Sequence, residues 1–165
     1  MELLEIIIFE YLLGYCLQGF TFVLGVFAFS RRKIVLKSYV LTSLLVSIIS
    51  YLVRLLPISY GVHTIINMLF LIMICIIILK MPAYTTIRSA VLSMVLCLIS
   101  EMAVIAVMIL SLGKEKFESM MLVPLDKAII ASAAAALFAL LIALTYFILN
   151  NSKKKNGEII GNISF

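Results

Sequence analysis

The chain has 165 residues, of which 65% are apolar and only 13% charged, with a mean hydropathy of +1.26. A soluble domain is about half apolar and about a quarter charged, so a water-soluble fold of one domain's length is excluded. The net charge of +5 does not point to nucleic acid, because the basic residues form short clusters between apolar runs and line no polar face. Their expected counter-charge is the anionic headgroups of a lipid bilayer.

The first apolar run covers 4–29 and carries Glu2, Glu5 and Glu10 where a signal peptide would be basic. It is also too long for one, so it is expected to remain as a helix. The basic turn RRKIVLK leads to a second run, 35–54, and the LLPISYGVH region, with Pro57 and Gly61, reads as a tight non-helical turn before the third, 62–79. After KMPAYTTIR comes the fourth run, 88–112, and after GKEKFESMMLVPLDK the fifth, 128–149. A spanning helix needs about 20 apolar residues to cross about 30 Å of hydrocarbon. The expectation is an all-α, polytopic helical membrane protein of about five transmembrane helices over 1–150, with a short basic cytoplasmic tail at 151–165. Tyr11, Tyr39, Tyr51, Tyr60, Tyr84 and Tyr146 fall near run ends, where an interfacial aromatic belt belongs.

Orientation follows from the basic residues. With the N-terminus outside, Arg31, Arg32, Lys33, Lys37, Lys80, Arg88 and Lys153–Lys155 face the cytoplasm, and Arg54, Lys114, Lys116 and Lys127 lie outside. Nine against four predicts N-terminus out and C-terminus in. In the fifth span, Ala131/Ala135, Ser132/Ala136 and Ala139/Ala143 repeat at four-residue spacing. Such small-residue faces let helices approach closely, either within the bundle or in a homodimer through this span.

Cys16, Cys75 and Cys97 each lie inside an apolar run without CxxC or metal-ligand spacing, so they read as small core hydrophobes. An ionisable group inside a span is a functional candidate by default. Glu101, near the middle of the fourth run, is the clearest, and it must face protein or water. Glu10, Arg54 and His63 belong to the outer half. Arg54 and His63 flank the Pro57–Gly61 turn and are placed to line the mouth of an outward pocket with Glu101 at its floor. The plainer alternative has Arg54 reaching to headgroups, His63 capping a helix end and Glu101 protonated or bonded within the bundle. No catalytic residue, metal site or cofactor is expected. His63 is the sole histidine, the cysteines are scattered, no Walker-type loop occurs, and the only aspartate, Asp126, lies in a loop.

The stretch YLVRLLPISYGVH (51–63), with the basic turn before it and Ile99, Ser100 and Glu101 in the fourth run, resembles the multi-helix membrane sensor region of Firmicutes histidine kinases with sporulation-phosphotransferase-like or GHKL kinase modules. In that group an Arg-Leu-Pro-hydrophobic-Pro-aromatic-Gly-hydrophobic-His run joins two spans. Arg54, Leu56, Pro57, Tyr60, Gly61 and His63 match in order, with an extra leucine after Arg54 and Ser59 in place of the second proline. The resemblance extends over roughly 1–150 but is specific only at 54–63, and no kinase module follows the fifth span. It implies a stand-alone, non-enzymatic sensory or regulatory protein of the bacterial cytoplasmic membrane, passing an extracytoplasmic signal to a kinase-like partner. The alternative from the residues alone is a membrane subunit of a transporter or channel, with Glu101 as a midplane acidic site and a transporter protein as partner.

Overall fold

The computed structural model describes residues 16–54, 56 and 60–161, without the side chains of 54, 60–62 and 150–161. Among the described residues there are six helices and no strand: α1 Leu17–Ser30, α2 Leu36–Arg54, α3 Tyr60–Leu79, α4 Ala83–Leu112, α5 Lys114–Met121 and α6 Pro124–Gly161. The described part of the first apolar run and the four later runs fall in helices. Three segments are long and apolar enough to cross a membrane, Leu36–Val53, Ala83–Leu112 and Pro124–Leu149, while Leu17–Ser30 and His63–Leu79 are shorter apolar helices.

Short links make consecutive helices antiparallel neighbours. α2 packs on α3, α3 on α4, and α4 on α6, and this arc closes around α1, which contacts α2, α4 and α6 closely and α3 only slightly. α1 is therefore the hub. Gly19, Thr21, Val23, Gly25, Val26, Phe27 and Ala28 are all buried in it. One apolar cluster joins Val23, Val26 and Phe27 to Val46, Leu71, Ile74 and Cys75, and a second sets Phe22 beside Phe138, Ile142 and Cys97. The Phe22 and Phe138 rings lie 5.1 Å apart between centroids. Tyr39 donates from its hydroxyl to the Phe20 carbonyl at 3.0 Å, tying α2 to α1.

Two glycines let the hub be approached. A Cβ on Gly19 would collide with Ser47 Oγ and sit 3.1 Å from that residue's Cα; one on Gly25 would collide with Ser93 Oγ and sit 3.1 Å from Ile142 Cδ1. The hydroxyls at these crossings are satisfied within their own helices: Ser47 donates to the Ser43 carbonyl at 2.8 Å and Ser93 to the Ser89 carbonyl at 2.9 Å. Such back-bonding lets a serine be buried without an interhelical partner.

The helix surfaces are turned inside out relative to a soluble bundle. The buried residues of α4 are Thr86, Ser89, Ala90, Ser93, Cys97 and Ser100, all small and mostly polar. Its exposed residues include Ile87, Val91, Leu92, Val95, Leu98, Ile99, Met102 and Val107. Without a hydrophobic drive between helices, membrane bundles pack through small residues and leave bulky ones to lipid. A contiguous apolar surface of this kind is not left to water.

The helix ends differ from the sequence expectation in four places, the first being Tyr60 and Gly61, which belong to α3 and not to a non-helical turn. Residues 83–87, expected in a linker, are the first turn of α4; the Thr85 and Thr86 hydroxyls both donate to the Pro82 carbonyl, at 2.9 and 3.0 Å. The expected outer loop holds the exposed helix α5 and the start of α6, which opens with Pro124, a residue pre-organised for a first helical turn. α6 also continues through the basic triplet to Gly161.

At the other end of the bundle α1 closes in a Schellman motif. The Arg31 N–H bonds the Ala28 carbonyl and the Arg32 N–H bonds that of Phe27, with Arg31 left-handed at φ 52° in the position glycine usually takes. Lys80, after α3, is left-handed too, at φ 47°. In α6 the buried line is Ile130, Ala134, Phe138 and Ile142, and Ala131 and Ala136 of the small-residue pairs are exposed.

Two substitutions test this packing. Gly25→Val should destabilise by about 1–3 kcal/mol through overpacking against Ser93 and Ile142, read as a lowered midpoint of thermal unfolding in mild detergent. Gly113→Ala should cost about 1–3 kcal/mol for a different reason. Nothing lies within 4 Å of the added methyl, but the backbone at φ 85°, ψ 155° is territory for glycine alone.

Candidate functional site

Four helices present one stripe each to a common space. On α1 it is Gln18 and Phe22, on α2 Val46 and Ser50, on α3 His63, Asn67 and Leu71, and on α4 Ala90, Met94, Cys97 and Glu101. Spacings of three and four residues keep each set on a single helix face. Leu56, Thr64, Met68, Leu98 and Lys127 complete the wall of a cavity of about 440 Å³, within the range of small-molecule sites. It lies at the end of the bundle where α1, α3 and α6 begin and α2 finishes.

The lining is amphiphilic. The apolar part is Phe22, Val46, Leu71 and the two methionines, Met68 and Met94, whose unbranched side chains adapt to varied shapes. The polar part includes a chain across α1 and α4: the Gln18 amide reaches Cys97 Sγ at 3.7 Å, and the Cys97 thiol donates to Glu101 Oε1 at 3.6 Å. On the α3 wall, His63 Nδ1 and the Asn67 amide oxygen are shielded from solvent and have no hydrogen-bond partner among the described residues. A buried acceptor left unpaired costs about 1–3 kcal/mol, so these groups are positioned at the expense of the fold.

Of the residues singled out from the sequence, His63 and Glu101 come together in this cavity, from different helices. Glu101 is half-buried, neither in the lipid face nor sealed in the core. Arg54 ends α2, but its side chain is outside the described set, and Glu10 lies outside the described residues. Cys97 is buried, as expected of a small hydrophobe, but it also links Gln18 to Glu101. Among the described residues no group of histidine, cysteine and acidic side chains is arranged to hold a metal.

Sequence reasoning passed over Gln18, Ser50, Thr64 and Asn67. It weighed ionisable groups inside spans and not neutral amides. The signal was there: His63 and Asn67 stand four apart on one helix face, and an amide inside an apolar run needs a partner as a charge does. Lys127, placed on the outer side by the charge count, is exposed at the start of α6 and also lines the cavity.

No family model, curated protein or solved structure matches the chain. The site is therefore interpreted from its own chemistry.

If Asn67 is kept for binding, its removal should relieve the fold. Asn67→Leu, close in volume and free of the unpaired oxygen, is expected to raise stability by about 1 kcal/mol, seen as a higher thermal midpoint. A lower midpoint would show that the amide is already satisfied in the protein.

Proposed function

We propose that this chain is a membrane sensory or regulatory protein in which all five apolar helices span the bilayer, the N-terminus faces outward, and the cavity receives a small molecule from the extracytoplasmic side. The observation that carries the proposal is the joining of His63, Asn67 and Glu101 in one amphiphilic cavity. The charge distribution supports the orientation: Arg31, Arg32, Lys33, Lys37, Lys80 and Arg88 are all exposed and belong to the end of the bundle opposite the cavity. On this arrangement the basic end is cytoplasmic, and the membrane is the bacterial cytoplasmic membrane of the sensor region the chain resembles.

Transmission requires that the ligand bind two packings unequally. α3 is suited to report occupancy, because it contributes His63, Asn67 and Leu71 to the cavity yet barely touches the hub. Motion of α3 against α4 passes to α6, whose C-terminal stretch carries Lys153–Lys155 toward a cytoplasmic or membrane partner. A transporter or channel subunit is the competing function, favoured by the placement of Glu101 near mid-helix, where acids mark ion paths.

Labelling in intact cells tests orientation and access together. With the native cysteines replaced, Glu118→Cys and Thr64→Cys should react with a small membrane-impermeant thiosulfonate, and Ser152→Cys should not. Reaction at 152 alone would invert the topology. Reaction at 118 without reaction at 64 would show the cavity closed and end the receptor proposal. Co-purification from native membranes then separates the functions: a kinase-like partner supports sensing, and an ATPase or permease partner supports transport.

A further inference from the structure

We infer that the cavity takes a small organic ammonium compound, a primary amine on a compact apolar body, with its head toward Glu101 and Asn67. The inference rests on the cavity being a ligand site, as proposed above, and adds the class of ligand.

The argument is a count of acceptors against donors. Glu101 offers a carboxylate whose hydrogen-bond donor among the described residues is the Cys97 thiol at 3.6 Å, and a thiol is a weak donor. Among the described residues the Asn67 amide oxygen is an acceptor without a donor, and His63 Nδ1 is equally without a partner and accepts when its imidazole is protonated on the other nitrogen. An ammonium group brings three N–H donors and a positive charge. It therefore brings enough donors for these acceptors and compensates Glu101, the one acid among the described residues of the lining.

A carboxylate ligand would meet Glu101 with like charge and leave the Asn67 oxygen unpaired, and a neutral alcohol supplies a single donor and no charge. Lys127 is the cation that could argue for an acid. It is exposed at the start of α6, whereas Glu101 is half-buried in the wall. The body of the ligand is set by Phe22, Met68 and Met94, which offer a ring face and two adaptable thioethers. An aromatic or short aliphatic group suits this lining, and the volume admits it without space for a long chain.

Three probes of nearly equal shape test the assignment on the full chain purified in mild detergent: 2-phenylethylamine, 2-phenylethanol and phenylacetate, followed by calorimetric titration and thermal shift. The amine is expected to bind and raise the unfolding midpoint, and the alcohol and acid to bind at least about tenfold more weakly, the ratio a charge-assisted hydrogen bond supplies. Glu101→Gln, which preserves shape, should weaken amine binding about tenfold while leaving the alcohol unaffected. Asn67→Leu should weaken it independently.

Equal or tighter binding of the alcohol or acid would overturn the ammonium assignment and leave the ligand cavity standing. Binding of the amine unchanged by either substitution would place it elsewhere, in the micelle or at the surface, and would also overturn it. Absence of binding by all three, with Thr64→Cys reactive from outside, would reject the amine class while keeping an open cavity; with Thr64→Cys unreactive, both proposals fail.

Discussion

The closeness with which α1 is approached governs the rest of the molecule. At Gly19 the α2 backbone comes to within contact of where a side chain would stand, and at Gly25 the α4 side chain of Ser93 does the same with Ile142 beside it. Two neighbours are thus drawn tight to the hub by the absence of two side chains. α3 has no such crossing with α1 and is held by α2 and α4 instead. The space it leaves beside Gln18 and Phe22 is the cavity. The same glycines that condense one part of the bundle therefore leave another part open.

The interior of the bundle is consequently polar in composition but quiet in chemistry, with one exception. Ser47 of α2 and Ser93 and Ser100 of α4 return their hydroxyls to their own helix backbones, while the Thr42 and Ser89 hydroxyls are buried without a partner among the described residues. They lend small size without requiring a partner across the interface. At the cavity the pattern changes to longer groups, Gln18, His63, Asn67 and Glu101, which cannot bond back to a carbonyl four residues earlier in the same manner. Their hydrogen bonds must be found across space, and for His63 Nδ1 and the Asn67 amide oxygen on α3 they are not found among the described residues.

Much of the architecture was legible in the sequence because lipid imposes a length. The four later apolar runs and the described part of the first give helices at the expected places, and His63 and Glu101 could be assigned to one region from the alternation of direction alone. Helix ends were less legible. Residues 83–87 and 114–121 are polar enough to read as loops, yet once Pro82 and Gly113 punctuate the chain their helical bonds are as good as any others. The hub was hidden because hydropathy does not distinguish a central helix from a peripheral one; in α1 the distinguishing marks are Gly19 and Gly25, whereas the alanine-rich fifth run drew notice for the same property. There the line that packs is Ile130, Ala134, Phe138 and Ile142, since a helix beside an aromatic hub residue such as Phe22 needs bulk at the contact as well as space.

The left-handed residues Arg31 and Lys80 carry a further consequence. Both stand where a helix arrives at the basic end of the bundle, and both hold a backbone conformation that glycine adopts more easily. A chain selected for equilibrium stability alone would place glycine at each. Retaining cations there keeps charge beside the last turns of α1 and α3 as the polypeptide enters the membrane, before any tertiary contact exists. On the proposed orientation these two positions set a folded state that would relax with glycine against a positive charge that marks the cytoplasmic side, so insertion fidelity and resistance to unfolding are expected to change in opposite directions along this short edge of the protein.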